Sequence, residues 1–279
     1  MRFGFHISIG GGFKKVVEKA VKKQCQTIQL FSRNPRGWEF GQLDKDDVLA
    51  FQSAVKDNDI SPVFVHMPYL PNLASSNKDL FKKSLQSLIT ELQRTEMLGA
   101  QFLVMHVGSR LNAAEEVAIK NVSNGINQAF SKIDNAVILL LENTAGMGTE
   151  IGYNFSQIQE IIDQIEEKDR VGIVIDTAHI FEAGYPIHTK EGLNKTLKEC
   201  DELIGLKRLH LLHLNDSKTD LGSRIDRHWH IGEGKIGLDG FKNIINHPLL
   251  KHLPGIMETP RKDDKDDLKN MKVIKSLVT

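Results

Sequence analysis

The stretch VILLLENTAGMGTEIGYNFSQIQEIIDQIEEKDRVGIVIDTAH, residues 137–179, contains two strongly apolar runs separated by a segment of helical period. The runs VILLLEN and VGIVIDTAH are short and rich in aliphatic side chains, which is typical of strands that are buried on both faces. Apolar residues recur between them at spacings of three and four, at Phe155, Ile158, Ile161, Ile162 and Ile165. That spacing predicts an amphipathic helix. The stretch therefore predicts a strand, a crossover helix and a second, parallel strand.

The same alternation continues in both directions along the chain. Six further β-rich runs lie at 3–8, 27–31, 62–67, 102–107, 208–214 and 255–259. Segments of helical period, such as those that begin at Phe13, Leu85 and Leu268, accompany them. Neither a dinucleotide-binding glycine fingerprint nor a Walker glycine loop is present. Eight strand–helix units in 279 residues match a closed barrel better than an open doubly wound sheet. The sequence thus predicts an α/β protein with one (β/α)8 TIM-barrel domain over residues 1–279.

The overall composition argues against several classes of protein. Lys plus Arg and Asp plus Glu both number 36, so no overall positive field indicates a nucleic-acid partner, although bound cations would restore positive charge locally. Cys25 and Cys200 lie far apart, which fits a reducing compartment and argues against cysteine-based zinc or redox chemistry. No apolar run is long enough to span a bilayer or to act as a secretion signal. We therefore expect a cytoplasmic protein without a membrane partner.

Six successive predicted strands, from the third to the eighth, end in residues that can bind a metal. The carboxyl ends of barrel strands converge on one face, where active sites are built. The chain has 11 His and 36 Asp plus Glu among 279 residues, so composition alone would rarely place a donor at six consecutive strand ends. The donors are His66, His106, Glu142, Asp176, His179, His213 and Glu258. They predict a metal site at the carboxyl end of the barrel.

The segment HLNDSKTDLGSRIDRHWHIGEG, residues 213–234, follows the seventh predicted strand. Alone, it could equally be a solvated charged loop or part of a site. Asp226 and His228 lie two residues apart, so in an extended loop their side chains point the same way. Imidazoles with carboxylates and no thiolate suit zinc or manganese. Nine donors are enough for two or three ions, and ions about 4 Å apart suit the hydrolysis of a phosphodiester.

Five motifs give the chain a resemblance to a known family. They are HMPYLPNLAS at 66–75, ENTAGMGTEIG at 142–152, IDTAHIFEAGY at 175–185, HLNDSK at 213–218 and DRHWHIGEGKIG at 226–237. On these motifs the chain resembles endonuclease IV, the zinc-dependent apurinic/apyrimidinic (AP) endonuclease family of base-excision repair. The resemblance covers essentially the whole chain.

The resemblance implies a site with three zinc ions in each chain. His66, His106 and Glu142 would hold the first ion; Glu142, Asp176, His213 and Glu258 the second; His179, Asp226 and His228 the third. Whether manganese occupies one of these sites stays open. Glu142 and Glu258 would be the catalytic carboxylates, with Glu258 orienting a hydroxide that attacks the phosphorus 5′ to an abasic site. The products would be a 3′-hydroxyl and a 5′-deoxyribose phosphate, and the family also removes blocked 3′ ends.

The expected partner is damaged double-stranded DNA, bound by a monomer. By resemblance, Arg36, Tyr69 and Leu70 would fill the gap that a flipped-out nucleotide leaves, as wedge residues do when they enter a base stack. Candidate phosphate contacts are Lys218, Arg224, Arg227 and Arg261. Trp38 is expected to pack within its loop, and His230 is not carried over as a ligand. The chain departs from the sequence that is usual in the family at Pro71, Val107 and Arg110. These departures concern the backbone conformation around His106 and the depth to which Tyr69 and Leu70 enter DNA.

Two other interpretations are weaker. A sugar isomerase or epimerase on the same type of metal-bearing barrel would need fewer ions and a strand-end lysine or carboxylate pair. This chain offers nine donors and no strand-end lysine. A non-catalytic DNA-damage-binding protein would have lost ligands, and none is lost.

Overall fold

A computed structural model describes residues 1–279 and contains ten strands, of which eight form a closed parallel barrel. The strands are β1 (Phe3–Ile7), β2 (Thr27–Phe31), β3 (Val63–His66), β4 (Phe102–His106), β5 (Ile138–Glu142), β6 (Val171–Asp176), β7 (Leu209–His213), β8 (Asp216–Ser217), β9 (His228–Trp229) and β10 (Gly255–Met257). Around the barrel the order is β1-β10-β7-β6-β5-β4-β3-β2, closed by pairing of β2 with β1. Strands β8 and β9 form a separate antiparallel pair. The predicted (β/α)8 TIM barrel is confirmed.

Nine α-helices surround the strands. They are α1 (Phe13–Lys22), α2 (Lys45–Asp57), α3 (Lys78–Met97), α4 (Glu115–Phe130), α5 (Phe155–Asp163), α6 (Thr177–Glu182), α7 (Lys190–Leu203), α8 (Gly237–Asn246) and α9 (Asp264–Ser276). Several begin at a side chain that accepts hydrogen bonds from the free N–H groups of the first turn, as Asn77 and Asn154 do. None of the nine combines the length and the apolarity that a membrane crossing requires.

The apolar core has two parts, and the smaller one explains how the barrel presents its polar residues. Most buried apolar side chains lie between strands and helices. The interior cluster takes one residue from each of six neighbouring strands: Phe64, Val104, Leu140, Val174, Leu211 and Ile256. Side chains on one face of a strand recur every second residue. Two residues beyond each interior residue stands a predicted metal donor, at 66, 106, 142, 176, 213 and 258. The two-residue repeat of side chains along a strand therefore places six donors at one end of the barrel.

A register shift between β6 and β7 brings two of these donors level. Ile173 is opposite Leu209, whereas Val174 is opposite Leu211, so His210 is the extra residue of a bulge. A bulge changes which side chains face each other beyond it. Asp176 consequently lies directly opposite His213.

One prediction about local structure is wrong in detail. The predicted strand at 171–179 ends at Asp176, because Asp176 caps α6 by accepting a hydrogen bond from the backbone N of His179 at 3.0 Å. His179 therefore lies in the first turn of a helix and not on a strand. In the first turn of α9, Asp267 is buried, and its carboxylate lies 2.7 Å from Lys23 Nζ and 3.3 Å from Arg261 Nη1.

Candidate metal centre

Three groups of side chains at the carboxyl end of the barrel have ligand atoms close enough to hold metal ions. Within each group, one ligand atom per residue lies within 4.8 Å of the others. The groups are His66, His106 and Glu142; Glu142, Asp176, His213 and Glu258; and Asp176, His179 and His228. They are called the first, second and third groups below. Every donor predicted from a strand end belongs to one of them.

Glu142 joins the first and second groups. Its Oε2 lies 3.1 Å from His66 Nε2 and 3.5 Å from His106 Nε2, and its Oε1 lies 2.8 Å from His213 Nδ1. The carboxylate is completely buried, so bulk solvent does not compensate its charge. One of its oxygens faces the imidazoles of the first group and the other faces His213 of the second.

Asp226 completes the third group. Its two oxygens lie 3.5 Å from His179 Nε2 and 3.6 Å from His228 Nε2, and the two imidazole nitrogens are 3.1 Å apart. Asp176 Oδ2 lies 3.6 Å from His228 Nε2 and 3.7 Å from His213 Nδ1. Asp176 is thus shared between the second and third groups, which the sequence did not indicate.

Hydrogen bonds from the far side of four imidazoles select the nitrogen that faces the centre. Nδ1 donates to the carbonyl of Met67 in His66, of Asn143 in His179 and of Glu258 in His228, at 2.7, 3.0 and 3.3 Å. In His213 the order is reversed, with Nδ1 facing Glu142 and Nε2 bonded to the side chain of Gln29. Metal-binding histidines usually carry such a partner on the other nitrogen, which fixes the ring and its tautomer.

The charges of the centre fit bound cations. Glu142, Asp176, Asp226 and Glu258 have no Lys or Arg partner, and every ion-pair contact that they make is to a histidine. Buried carboxylates without compensating charge are costly. Burial, the largest single influence, would lower the pKa of His213, but the charges of Glu142, Glu258 and Asp176 and the hydrogen bond to Glu142 together outweigh it and raise the pKa to about 9. Burial would raise the pKa of Glu258, yet the neighbouring His213 and His6 together hold it well below its usual range. Imidazole nitrogens with carboxylate oxygens and no thiolate form a donor set that suits zinc.

A buried carboxylate on each side holds the loop that carries Asp226 and His228. Glu182 accepts hydrogen bonds from Ser217 Oγ at 2.7 Å and from the backbone N of Arg227 at 3.2 Å. Asp216 accepts from the backbone N of Gly232, Gly234 and Ile236, at 2.9 to 3.0 Å. A Cβ on Gly234 would lie 2.3 Å from the carbonyl oxygen of Ser217, so only glycine fits there. The motifs at 213–218 and 226–237 are therefore two halves of one packed unit.

A cavity of about 750 Å³ opens above the donors, and part of the predicted DNA-contact set lines it. Tyr69, Leu70 and Arg261 belong to its wall, with 64% of Tyr69 and 38% of Leu70 exposed. Arg36 is exposed on the neighbouring loop, where Pro35 O accepts a hydrogen bond from Tyr69 N at 3.2 Å. The wall thus combines apolar and cationic side chains.

The other candidate phosphate contacts lie outside the cavity wall. Lys218, Arg224 and Arg227 are exposed; Lys218 Nζ lies 4.2 Å from the centre of the Trp229 ring, and Arg224 lies 4.1 Å from that of Tyr153. Trp38 is partly buried, Pro71 lines the cavity, Val107 is buried, Arg110 donates to Ala113 O, and His230 lies 3.1 Å from Asn270 on α9 and belongs to no donor group.

Known proteins resemble this chain over its whole length. A family model described as a xylose isomerase-like TIM barrel matches residues 17–277. A probable endonuclease 4 of Methanoculleus marisnigri is 45% identical over 275 residues, 98% of each chain. Another, of Methanosphaerula palustris, is 42% identical over 280 residues, 99% of this chain and 98% of the other. The chain belongs to the endonuclease IV family. The resemblance drawn from the five motifs is confirmed.

Solved structures extend this result. The crystal structure of endonuclease IV from Thermus thermophilus matches with a TM-score of 0.89 at 33% identity, and covers 99% of this chain and 98% of that one. A D-tagatose 3-epimerase-like protein matches with a TM-score of 0.74 at 17% identity, over 99% of this chain and 97% of that one. At that identity the second match shows a shared fold alone.

Several polar residues that contact the donors in this endonuclease IV family member were not predicted from the sequence. His6 Nδ1 lies 3.1 Å from Glu258 Oε1, and Asn215 donates to Asp176 Oδ2 at 2.6 Å and accepts from the backbone N of Glu258 at 2.7 Å. The search for donors at strand ends covered strands three to eight. Applied to the first strand as well, it would have identified His6 near the end of β1. An amide such as Asn215 is not a usual zinc ligand, so no ligand pattern in the sequence indicates it.

Proposed function

We propose that the chain is a DNA-repair AP endonuclease that hydrolyses the phosphodiester 5′ to an abasic site in duplex DNA. The products would be a 3′-hydroxyl and a 5′-deoxyribose phosphate, and the same centre would remove blocked 3′ ends. The single observation that carries the proposal is the shared carboxylate Glu142, which links two adjacent donor groups. Membership of the endonuclease IV family supports the choice of DNA as substrate.

We propose three zinc ions as the cofactor. The first and second groups would each hold one ion, joined by Glu142, and His179, Asp226 and His228 would hold the third. Bound zinc supplies charge stabilisation for phosphoryl oxygens and lowers the pKa of bound water. One chain carries every donor of the three groups, so a monomer suffices.

The chain's own side chains would do the remaining work. Oε2 of Glu258 lies 3.6 Å from His213 Nδ1, and its Oε1 accepts a hydrogen bond from Gln29 Nε2. It would orient the attacking water through Oε2. Tyr69 and Leu70 would enter the duplex beside the abasic site, where exposed apolar surface gains burial against base edges. Arg36 would join them there.

Contacts to the backbone would come from the rim. Lys218, Arg224, Arg227 and Arg261 would bind phosphates, which position a duplex without reading its sequence. The zero net charge of the chain makes this local distribution decisive, since no overall field attracts DNA.

Incision of a defined substrate tests the function. Duplex DNA with one synthetic abasic site should be cut on its 5′ side by the purified protein, and prolonged treatment with a strong zinc chelator should abolish the cut. Undamaged duplex of the same sequence is the matched control. No incision, or incision that survives removal of the metal, would contradict the proposal, and a single ion per chain by elemental analysis would favour a sugar isomerase.

A further inference from the structure

Gln29 stands where two donors of the second group meet. It lies in the middle of β2, completely buried. Its Nε2 donates to Glu258 Oε1 at 2.7 Å, and its Oε1 lies 2.9 Å from His213 Nε2. Glu258 follows β10 and His213 ends β7, and no hydrogen bond joins the two side chains directly. The side chain of Gln29 links them from β2.

The orientation of this amide follows from the protonation that a metal ligand needs. A metal-binding imidazole presents a bare nitrogen to the ion. The nitrogen of His213 that faces Glu142 is Nδ1, so Nε2 carries the hydrogen and donates it to Gln29 Oε1. The NH₂ of Gln29 is then directed to Glu258, where a carboxylate oxygen accepts it. A glutamine supplies both the acceptor and the donor that this pair of ligands requires.

His6 completes the arrangement at the same carboxylate oxygen. Its Nδ1 lies 3.1 Å from Glu258 Oε1 and 3.0 Å from Gln29 Nε2. The two polar neighbours occupy Oε1, which leaves Oε2 as the oxygen that faces the donors. In the register of the barrel, His6 and Gln29 lie side by side on β1 and β2.

We propose that Gln29 is a positioning residue for the second group: it fixes the tautomer of His213 and the orientation of Glu258 together. The proposal rests on the proposed function in one respect, since it takes the second group to hold a metal ion. It assigns Gln29 no contact with the substrate. Loss of Gln29 should therefore weaken the retention of one ion and slow catalysis without changing how DNA is bound.

The test replaces Gln29 and counts metal before activity is measured. Gln29→Leu keeps nearly the same volume and removes both hydrogen bonds. Polar partners of metal ligands contribute about 10–100-fold to metal affinity, so after equilibration with a competing chelator we expect this variant to retain about one ion per chain fewer than the unaltered protein. The kcat on abasic duplex should fall by a similar factor, whereas KM should stay within about twofold, because the DNA-contact residues are untouched.

A second variant and a matched control keep the test decisive. Gln29→Met retains nearly the same length but supplies neither the donor to Glu258 nor the amide acceptor for His213, so it should also lose the ion, and it replaces the leucine variant if that one does not fold. Gln157→Leu removes another buried glutamine, which accepts from Gly152 N and contacts no donor, and should retain all its metal.

Full metal retention and an unchanged kcat in a folded Gln29 variant would overturn the proposal. So would a loss of metal that Gln157→Leu reproduces, because the loss would then reflect general damage to the barrel. Metal counting needs no DNA substrate. If metal retention depends on Gln29 but the protein cuts no abasic duplex, the proposed function is refuted and this inference still stands.

Discussion

Glu258 presents its two carboxylate oxygens to different neighbours. Oε1 lies within hydrogen-bonding distance of Gln29 and His6, and Oε2 lies 3.6 Å from His213 Nδ1. The backbone N of Glu258 is fixed by Asn215, which also bonds Asp176. The side-chain partners of this carboxylate are therefore one donor of the centre, His213, and two residues that hold its other oxygen.

Replacement of Glu258 by glutamine tests its role at the scale of one residue. Glu258→Gln keeps the shape but removes the negative charge at Oε2. We expect kcat to fall by about 100-fold or more, because a ligand and a water-orienting group are lost together, while binding to abasic duplex persists. Incision rates and a binding titration on the same duplex measure the two effects.

The matched control is Glu199→Gln. Glu199 is a partly buried carboxylate on α7 that accepts a hydrogen bond from Tyr185 at 2.9 Å and lies in no donor group. This variant should cut at close to the unaltered rate. Near-normal turnover in Glu258→Gln itself would remove Glu258 from the mechanism.

At the scale of elements, most of what could be predicted came from the pattern of apolar residues along the strands. The apolar runs gave the eight strands and hence the end at which His66, Glu142 and Asp176 converge, because strand ends of a parallel barrel share one face. Periodicity could not show that a helix starts at Thr177, since a capping aspartate depends on backbone geometry. It also could not reveal the amide of Gln29, which reads as one polar residue within an apolar strand.

Helix α3 holds in place the loop that follows β2. Glu91 on α3 accepts from Arg33 Nε at 2.7 Å and from Ser32 Oγ at 2.6 Å, and Arg94 donates to the carbonyls of Ser32 and Gly41. The side chains of Ser32, Arg33, Glu91 and Arg94 are all buried. Arg33 is consequently committed to the structure of the loop.

Removal of the Glu91 carboxylate should destabilise the protein. Glu91→Ala leaves buried guanidinium groups without their counter-charge, so the free energy of unfolding should fall by about 3–5 kcal/mol. Urea unfolding measures the loss. Glu160→Ala on α5, where the carboxylate is exposed and makes no ion pair, should change stability by less than about 0.5 kcal/mol. Equal effects from the two variants would contradict this account of the loop.

At the scale of the whole molecule, the centre should make the stability of the metal-free protein depend on pH. The pKa of His213 rises from its ordinary value of 6.5 to about 9, and that of His179 also rises, after the attraction of carboxylates outweighs burial. A group whose pKa is higher in the folded protein stabilises it fully below the unfolded value and loses that effect as the pH passes the folded value. The metal-free protein should thus lose stability between pH 6.5 and about 9, by at most about 3 kcal/mol from His213.

Thermal unfolding in excess chelator across that pH range measures the effect. The metal-loaded protein is the control, and its behaviour should be opposite, because protons compete with metal for the same nitrogens and metal affinity increases with pH. A metal-free protein whose Tm rises over the same range would contradict the prediction.

The distribution of the donors along the chain has a consequence for biosynthesis. The first group uses three adjacent strands and is complete once residue 142 has left the ribosome, the third group once residue 228 has followed, and the second group only with residue 258. Strand β10, which precedes Glu258, is also the strand that joins β7 to β1. Closure of the barrel and completion of the second group are therefore one late event of translation, so a nascent chain can assemble donors but not the finished centre.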